Sequence, residues 1–439
     1  MKKVALITLG CAKNLVDSEV MLGHLEMGGY AFVSDPEEAD IIIINTCGFI
    51  QPAREESLET LKRYIELKQR SKEKKIVVTG CYVQKDGKNL KNEFPDIDAW
   101  MGVNDFDRIV HVVKGEAFKS ASRCFLYSDT SPRLISTPPS WTYVKISEGC
   151  SHQCSFCAIP RIKGPYRSRS ISSIVEEVKN LVTRGVKEVN LISQDSTSFG
   201  QDKQMREGLS RLLKTLLDVK NLKWIRILYG YPERITNSLL EIMGEDKVCA
   251  YLDIPFQHSD PRIIKMMKRG LDGNRALRLI ETIRNKLTDV ALRTSLIVGF
   301  PGEGRGEFEH LLTFIKEARF DHVGVFTYSP EEETECRLLG DPVSENEKML
   351  RRERIMQLQA EISFEINKKY LNQKIDVLIE GTLKQDSNVL VGRGKFQAPE
   401  VDGFVFIPAE RKTSSVVNSI QKVEITDRDV YDLYGNLLP

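Results

Sequence analysis

The sequence predicts a multidomain α/β protein in three parts: a parallel sheet covered by helices, a partial barrel of six βα units, and a small antiparallel β-barrel. Three observations predict it. In the first third, apolar strand-like runs alternate with longer amphipathic stretches, the pattern of a parallel sheet with helices on its faces. From Tyr143 onward six strand candidates recur, each followed by a helix candidate or a loop. After a long charged stretch, the carboxyl end turns to short alternating strands broken by glycine.

The 439 residues are about three times a common domain length, so two to four domains are expected. In the first part, Val4–Leu9 runs into Gly10-Cys11, Ile41–Asn45 into Thr46-Cys47, and Ile76–Thr79 into Gly80-Cys81. Each cysteine therefore falls just past the carboxyl end of a buried strand, where open α/β sheets place their ligands. Residues 51–69 begin with a proline and read as a helix. Residues 129–141 carry three prolines and read as a linker or crossover. The six later strands are expected at Tyr143–Ser147, Glu188–Ser193, Trp224–Tyr229, Tyr251–Phe256, Ala291–Val298 and His322–Tyr328. Six consecutive units suggest an open barrel rather than a closed eight-fold one, with its active face at the carboxyl ends. Residues 344–370 form a charged helix candidate, and Gly381, Gly392, Gly394 and Gly403 punctuate the tail. The domains are expected at 1–130, 136–370 and 371–439.

Composition narrows the class. Apolar residues make up 41% and charged residues 28%, which excludes collagen-like, coiled-coil and wholly disordered chains. Lys plus Arg (63) nearly equals Asp plus Glu (62), so no bulk positive field holds a nucleic acid. No apolar run approaches the roughly 18 residues of a membrane span, so no membrane partner is expected. The opening Met1-Lys2-Lys3 and the run Val4–Cys11 only faintly resemble a lipoprotein signal. Nine cysteines in so long a chain argue against a disulfide scaffold and for reduced, cytoplasmic thiols that bind metal.

Cys150, Cys154 and Cys157 have the spacing CxxxCxxC, directly after the first barrel strand. Three thiolates on one loop can hold three irons of a cubane cluster and leave the fourth iron open. A zinc ion is the other reading, with His152 as the nearby fourth ligand.

The loop and its position resemble the radical S-adenosylmethionine superfamily, whose open iron chelates that cofactor and cleaves it to a 5′-deoxyadenosyl radical. Gly299, Pro301 and Gly302 resemble the superfamily's cofactor-cradling glycine segment, and Phe156 its adenine-contacting aromatic position. Adding Cys11, Cys47 and Cys81, the whole chain resembles the methylthiotransferases: a flavodoxin-like domain, a radical barrel and a TRAM-like β-barrel. That resemblance implies a second 4Fe-4S cluster on Cys11, Cys47 and Cys81, with an open iron that takes part in sulfur delivery. Thr8 to Glu19 (TLGCAKNLVDSE), Tyr251 to His258 and Val325 to Glu332 are similar to the branch that modifies small-subunit ribosomal protein S twelve. Phe256 departs from that branch, which more often has a smaller aliphatic residue there.

The implied reaction replaces an aspartate β-C–H bond of that protein with C–S–CH3, a second S-adenosylmethionine supplying the methyl group. An electron donor such as a flavodoxin or ferredoxin and a sulfur donor are implied partners. The alternatives are the same chemistry on an adenosine beside a tRNA anticodon, or an iron–sulfur electron carrier or ribosome-associated factor without turnover. Residues 371–439 hold eight Lys or Arg against ten Asp or Glu, which does not favour tRNA. Asp195 and Arg293, with Gln194, are expected at strand ends facing the pocket, as contacts for cofactor or substrate. His258 reads as either a pocket group or a satisfied polar residue. Cys124, Cys249 and Cys336, without partners at ligand spacing, are expected to be structural.

Overall fold

The computed structural model describes every residue except 72, 118–124, 333, 410–412 and 439. Cys124 lies outside the described residues.

The first sheet is parallel throughout. It contains β1 (Lys3–Thr8), β2 (Ala31–Phe32), β3 (Ile41–Thr46), β4 (Lys75–Gly80) and β5 (Ala99–Met101), in the order β2-β1-β3-β4-β5. This is the flavodoxin-like order, with its switch point between β1 and β3. Helices α1 (Ala12–Met27), α2 (Gln51–Arg70), α3 (Cys81–Glu93) and α4 (Ile109–Lys114) cover the faces. Central strand β3, with four consecutive isoleucines, is buried at every residue, as a strand covered on both faces must be.

The second sheet has the order β13-β12-β11-β10-β9-β6, with every pairing parallel. Its strands are β6 (Trp141–Lys145), β9 (Glu188–Ile192), β10 (Trp224–Ile227), β11 (Val248–Asp253), β12 (Ala291–Val298) and β13 (His322–Thr327). A small antiparallel pair, β7 (Ser147–Glu148) and β8 (Arg167–Ser168), flanks the cysteine loop. Neighbours in sequence are neighbours in space and β6 does not close on β13, so the barrel is partial. Its helices are α5 (Ile159–Lys163), α6 (Ile171–Thr183), α7 (Gly208–Leu217), α8 (Asn237–Met243), α9 (Pro261–Met266), α10 (Gly273–Lys286) and α11 (Arg305–Ala318). The largest apolar core lies between these helices and the strands. The charged helix α12 (Glu345–Asn367) nevertheless packs: Lys348, Arg351, Ile355, Gln359 and Ile362 form a buried stripe at helical spacing. The Gln359 amide donates to the Phe320 carbonyl at 2.7 Å.

The third sheet is a closed barrel of β14 (Lys374–Leu383), β15 (Asp386–Gly394), β16 (Val405–Pro408), β17 (Ile420–Arg428) and β18 (Leu433–Leu437). It departs from a purely antiparallel barrel at one pair: β16 and β18 run parallel. β17 occupies the free edge of β14, so β18 must close the ring against β16, which runs in its own direction.

The segment read as a linker is pinned rather than loose. Arg133 donates to Glu19 of α1 and to Glu177 of α6, both at 2.6 Å, and the Ser136 amide donates to Glu19 at 2.7 Å.

Candidate active site

The first cysteine trio is assembled by the ends of three parallel strands. Cys11 caps α1, Cys47 follows β3, and Cys81 opens α3. Gly10 (φ +89) and Gly80 (φ +104) make the close approach possible. A side chain at Gly10 would collide with the Cys47 side chain at 2.7 Å, and one at Gly80 with the Thr46 carbonyl at 2.4 Å. One residue then ties the loops together. The Asn14 amide donates to the Leu9 carbonyl at 2.9 Å and the Thr46 carbonyl at 3.2 Å, and its oxygen accepts from Cys81 Sγ at 3.6 Å. Burial pushes the Cys81 thiol up to about 12; Lys163 opposes the shift, and Cys11 and Cys47 add to it.

The second trio lies on the loop between β7 and α5. Burial pushes Cys150 up to about 11 and Cys157 to about 12. The loop is fastened to its surroundings: Ser155 donates through N–H to Met267 O (3.1 Å) and through Oγ to Met266 O (2.7 Å). Arg269 Nη1 points at Cys154 Sγ at 3.7 Å. His152 is turned away from the thiols: its Nε2 lies 2.6 Å from Asp195, and its ring stacks on Tyr231 with centroids 3.7 Å apart. That commitment removes it as the expected zinc ligand.

Both donor sets fit an iron–sulfur cluster. Each presents three unbridged thiols on converging loops, and every described cysteine is free. Among the described residues no three His, Cys, Asp or Glu close on a point suited to a single ion. A cubane asks for something else, because each thiolate takes a different iron. Buried thiols with raised pKa values are protonated at neutral pH, and it is a bound metal's charge that makes them thiolates.

The two trios meet at one loop. Tyr229 and Tyr231 follow β10, and Tyr229 holds the left-handed conformation (φ +63), an outlier for so bulky a residue. The Lys13 ammonium, two residues from Cys11, sits over the Tyr229 ring at 3.4 Å. Arg269, beside Cys154, sits over the Tyr231 ring at 4.0 Å. A buried lattice of charge fixes this arrangement. Lys145 contacts Asp17 of α1 and Glu148 of β7 (2.5 Å), while Lys163 of α5 reaches Asp17 at 3.0 Å and Glu148 at 3.7 Å. The Gln194 amide completes it, donating to Glu148 at 2.6 Å. Across the junction Lys85 of α3 pairs with Glu331 at 2.5 Å, and Arg54 of α2 joins them.

The remaining candidates separate. Asp195 is fully engaged by His152, Ser198 and Thr197, whose bonds outweigh burial and hold its carboxyl below the usual range. Phe156 packs beside Ile263, Met267 and Phe300. Gly299 (φ +74) and Gly302 (φ +91), with Pro301 between Phe300 and Gly302, make a turn whose glycine faces are taken by Lys348 and Arg262. Arg293 is not at the end of its strand: it is the third residue of β12, level with Asp253 of β11, and it pairs with Asp402 of the third domain at 2.8 Å. The strand continues for five residues beyond it, which its apolar alternation did not disclose. His258 is buried and accepts from the Asp260 amide at 3.0 Å, a loop-fixing role. Cys249 and Cys336 are buried in apolar clusters. Sequence reasoning missed Asn14, Asp17, Tyr229 and Arg269; the motif containing Asn14 and Asp17 was visible, but not what those side chains touch.

Comparison with known proteins bears on this geometry. Residues 3–102 match the model of the uncharacterized protein family UPF0004, 144–315 that of the radical SAM superfamily, and 373–438 that of the TRAM domain. Over its whole length the chain is 44% identical to the ribosomal protein uS12 methylthiotransferase RimO of Syntrophotalea carbinolica, covering 97% of that protein. It is 43% identical over 99% of its length to the RimO of Aquifex aeolicus, covering 96% of it. The chain belongs to the RimO methylthiotransferase family. As in other radical S-adenosylmethionine enzymes, the cofactors of a RimO protein include a 4Fe-4S cluster and S-adenosylmethionine. Among solved structures, the radical S-adenosylmethionine methyltransferase TsrM of Kitasatospora setae shares the fold, with a TM-score of 0.53 at 13% identity over 74% of this chain and 73% of that one. The cobalamin-dependent radical enzyme OxsB does so with a TM-score of 0.51 at 11% identity, over 80% of this chain and 56% of that one. No helix among the described residues is long and apolar enough to cross a membrane.

Proposed function

We propose that the chain adds a methylthio group to the β-carbon of an aspartate in small-subunit ribosomal protein S twelve, using two 4Fe-4S clusters. Cys150, Cys154 and Cys157 would hold one cluster, and Cys11, Cys47 and Cys81 the other. The observation that carries this reading is the convergence of both trios on the Tyr229–Tyr231 loop across a junction of buried ion pairs. We take 1–130, 136–370 and 371–439 as the domains, the cytoplasm as the setting, and a flavodoxin or ferredoxin and a sulfur donor as partners.

Bound S-adenosylmethionine and a reducing cluster supply a carbon radical, the one agent able to break an unactivated C–H bond that no side-chain acid or base can ionise. The chain's own residues supply position. Ser155 and Arg269 fix the Cys154 loop, Asn14 fixes the strand-end loops, and Lys145, Lys163, Asp17 and Glu148 hold the two loops at one spacing. Phe156 and the Gly299–Gly302 turn are proposed to border S-adenosylmethionine, and Asp195 to set the ring of His152 beside it. Close-packed aromatic walls exclude water, which protects a reactive intermediate.

The test is anaerobic iron and sulfide quantification, followed by mass spectrometry of S twelve and bulk tRNA after incubation with S-adenosylmethionine and reductant. About eight irons per chain and a methylthio mass gain on S twelve are expected. Cys154→Ala should abolish 5′-deoxyadenosine formation, whereas Cys47→Ala should keep it and lose sulfur insertion. A gain on tRNA alone would remove the substrate, and absence of 5′-deoxyadenosine from the wild type would leave a carrier without turnover.

A further inference from the structure

An aspartate modified at its β-carbon brings a carboxylate to the reacting atom. Burying that charge in a water-excluded site is costly unless a cation meets it. Most cations around the barrel mouth are already spent. Lys145 and Lys163 serve Asp17 and Glu148, Arg293 serves Asp402, and Arg269 donates to the Pro255 carbonyl at 2.6 Å. Lys13 differs. Its ammonium rests on the Tyr229 ring at 3.4 Å, and among the described residues no carboxylate lies within ion-pair distance of it. The nearest, Asp253, is 5% exposed, and its Oδ1 has no hydrogen-bond partner.

We propose that Lys13, on its Tyr229 shelf, is the specificity-determining cation that receives the target aspartate's carboxylate, while Asp253 Oδ1 accepts an N–H from the bound substrate segment. Geometry makes the placement productive. With a charge-assisted bond of about 2.8 Å, the substrate β-carbon lies roughly 4–5 Å from the ammonium. That puts it beside Cys11, at the loop where the two trios meet. A neutral or uncharged polar side chain at the same place would leave the ammonium without a counter-charge, so the site rejects Asn as well as residues of other shape. The assignment rests on the proposed S twelve substrate.

The experiment measures calorimetric binding of S twelve, and of S twelve carrying Asn at the modified position, to reconstituted wild-type enzyme, Lys13→Gln and Lys13→Arg. Methylthio incorporation is followed in parallel by mass spectrometry. The wild type should prefer the Asp protein by about 10- to 100-fold. Lys13→Gln should bring the ratio close to one, and Lys13→Arg should restore most of it. Retention of the preference in Lys13→Gln would overturn the assignment, as would an equal loss in Lys13→Arg, since charge would then not be what is read. If wild type neither binds nor modifies S twelve, the substrate reading itself fails and takes this assignment with it.

Discussion

The amide of Asn14 touches the chain just before Cys11 and just before Cys47, and its oxygen receives the Cys81 thiol. An alanine there frees two buried carbonyls and a thiol at once. Asn14→Ala should cost about 1–3 kcal/mol and lower iron content from about eight to about four per chain, because only the amino-terminal trio loses its alignment. Unchanged iron would show that the strands alone set the trio. Asp253 offers a pH test of a different kind. Burial raises its carboxyl from 3.8 to about 6, against the opposing pull of Arg293. A raised carboxyl means the fold penalises the charged form. The penalty is absent below about pH 4, where folded and unfolded states both carry the proton, and is complete above about pH 6, at on the order of 3 kcal/mol. Asp253→Asn should therefore raise the thermal midpoint at pH 8 and lose that advantage by pH 4; an equal gain at both would exclude titration as the cause. The cysteines were legible because spacing is a property of sequence. Asn14 and Tyr229 were not, since their roles depend on contacts across 32 residues in one case and on a strained backbone in the other.

Helix α1 joins the first two domains through two acids in one turn. Asp17 enters the lattice with Lys145 and Lys163, and Glu19 holds Arg133 at 2.6 Å, all of them buried. Removing one charge strands its partners, so Asp17→Asn should cost about 3–5 kcal/mol in denaturant unfolding. A loss under 1 kcal/mol would mean that apolar packing, not charge, seats the helix. Lys145 and Lys163 outweigh burial and hold Glu148 at about 2 instead of 4.5. A depressed carboxyl stabilises above its unfolded value and loses that contribution as pH falls from about 4.5 through about 2. Amide exchange in α1 should accordingly quicken across that window; a flat profile would place the weak point elsewhere. Strand and helix identities were readable wherever apolar periodicity ran for four residues or more. β2 and β5, two and three residues long, have no period to read, and the parallel β16–β18 pair reflects ring closure that local sequence does not encode.

At the scale of the whole molecule, the third domain drives charged side chains into the amino end of the partial barrel. Arg393 is fully buried, donating to Glu188 of β9 at 2.7 Å and to Glu380 of its own barrel at 2.5 Å, while Arg226 of β10 donates to the same Glu188 at 2.8 Å. Lys395 is likewise turned inward, onto Asp246. Two of the eight basic residues counted in this domain are thus committed to the barrel, which weakens the case for phosphate binding further than composition alone did. The buried group is also asymmetric. Arg393 shares two carboxylates, and losing it leaves Glu188 bonded to Arg226. Glu188 is the acid between two guanidinium ions, and losing its charge leaves both buried with diminished compensation. Glu188→Gln should therefore destabilise the protein by about 3–5 kcal/mol, and Arg393→Met, which keeps the buried stem's packing, by less. Denaturation midpoints of the two variants at neutral pH decide it: the reverse order would mean that the third domain is held by the Arg393–Glu380 contact and not by the shared acid of the barrel.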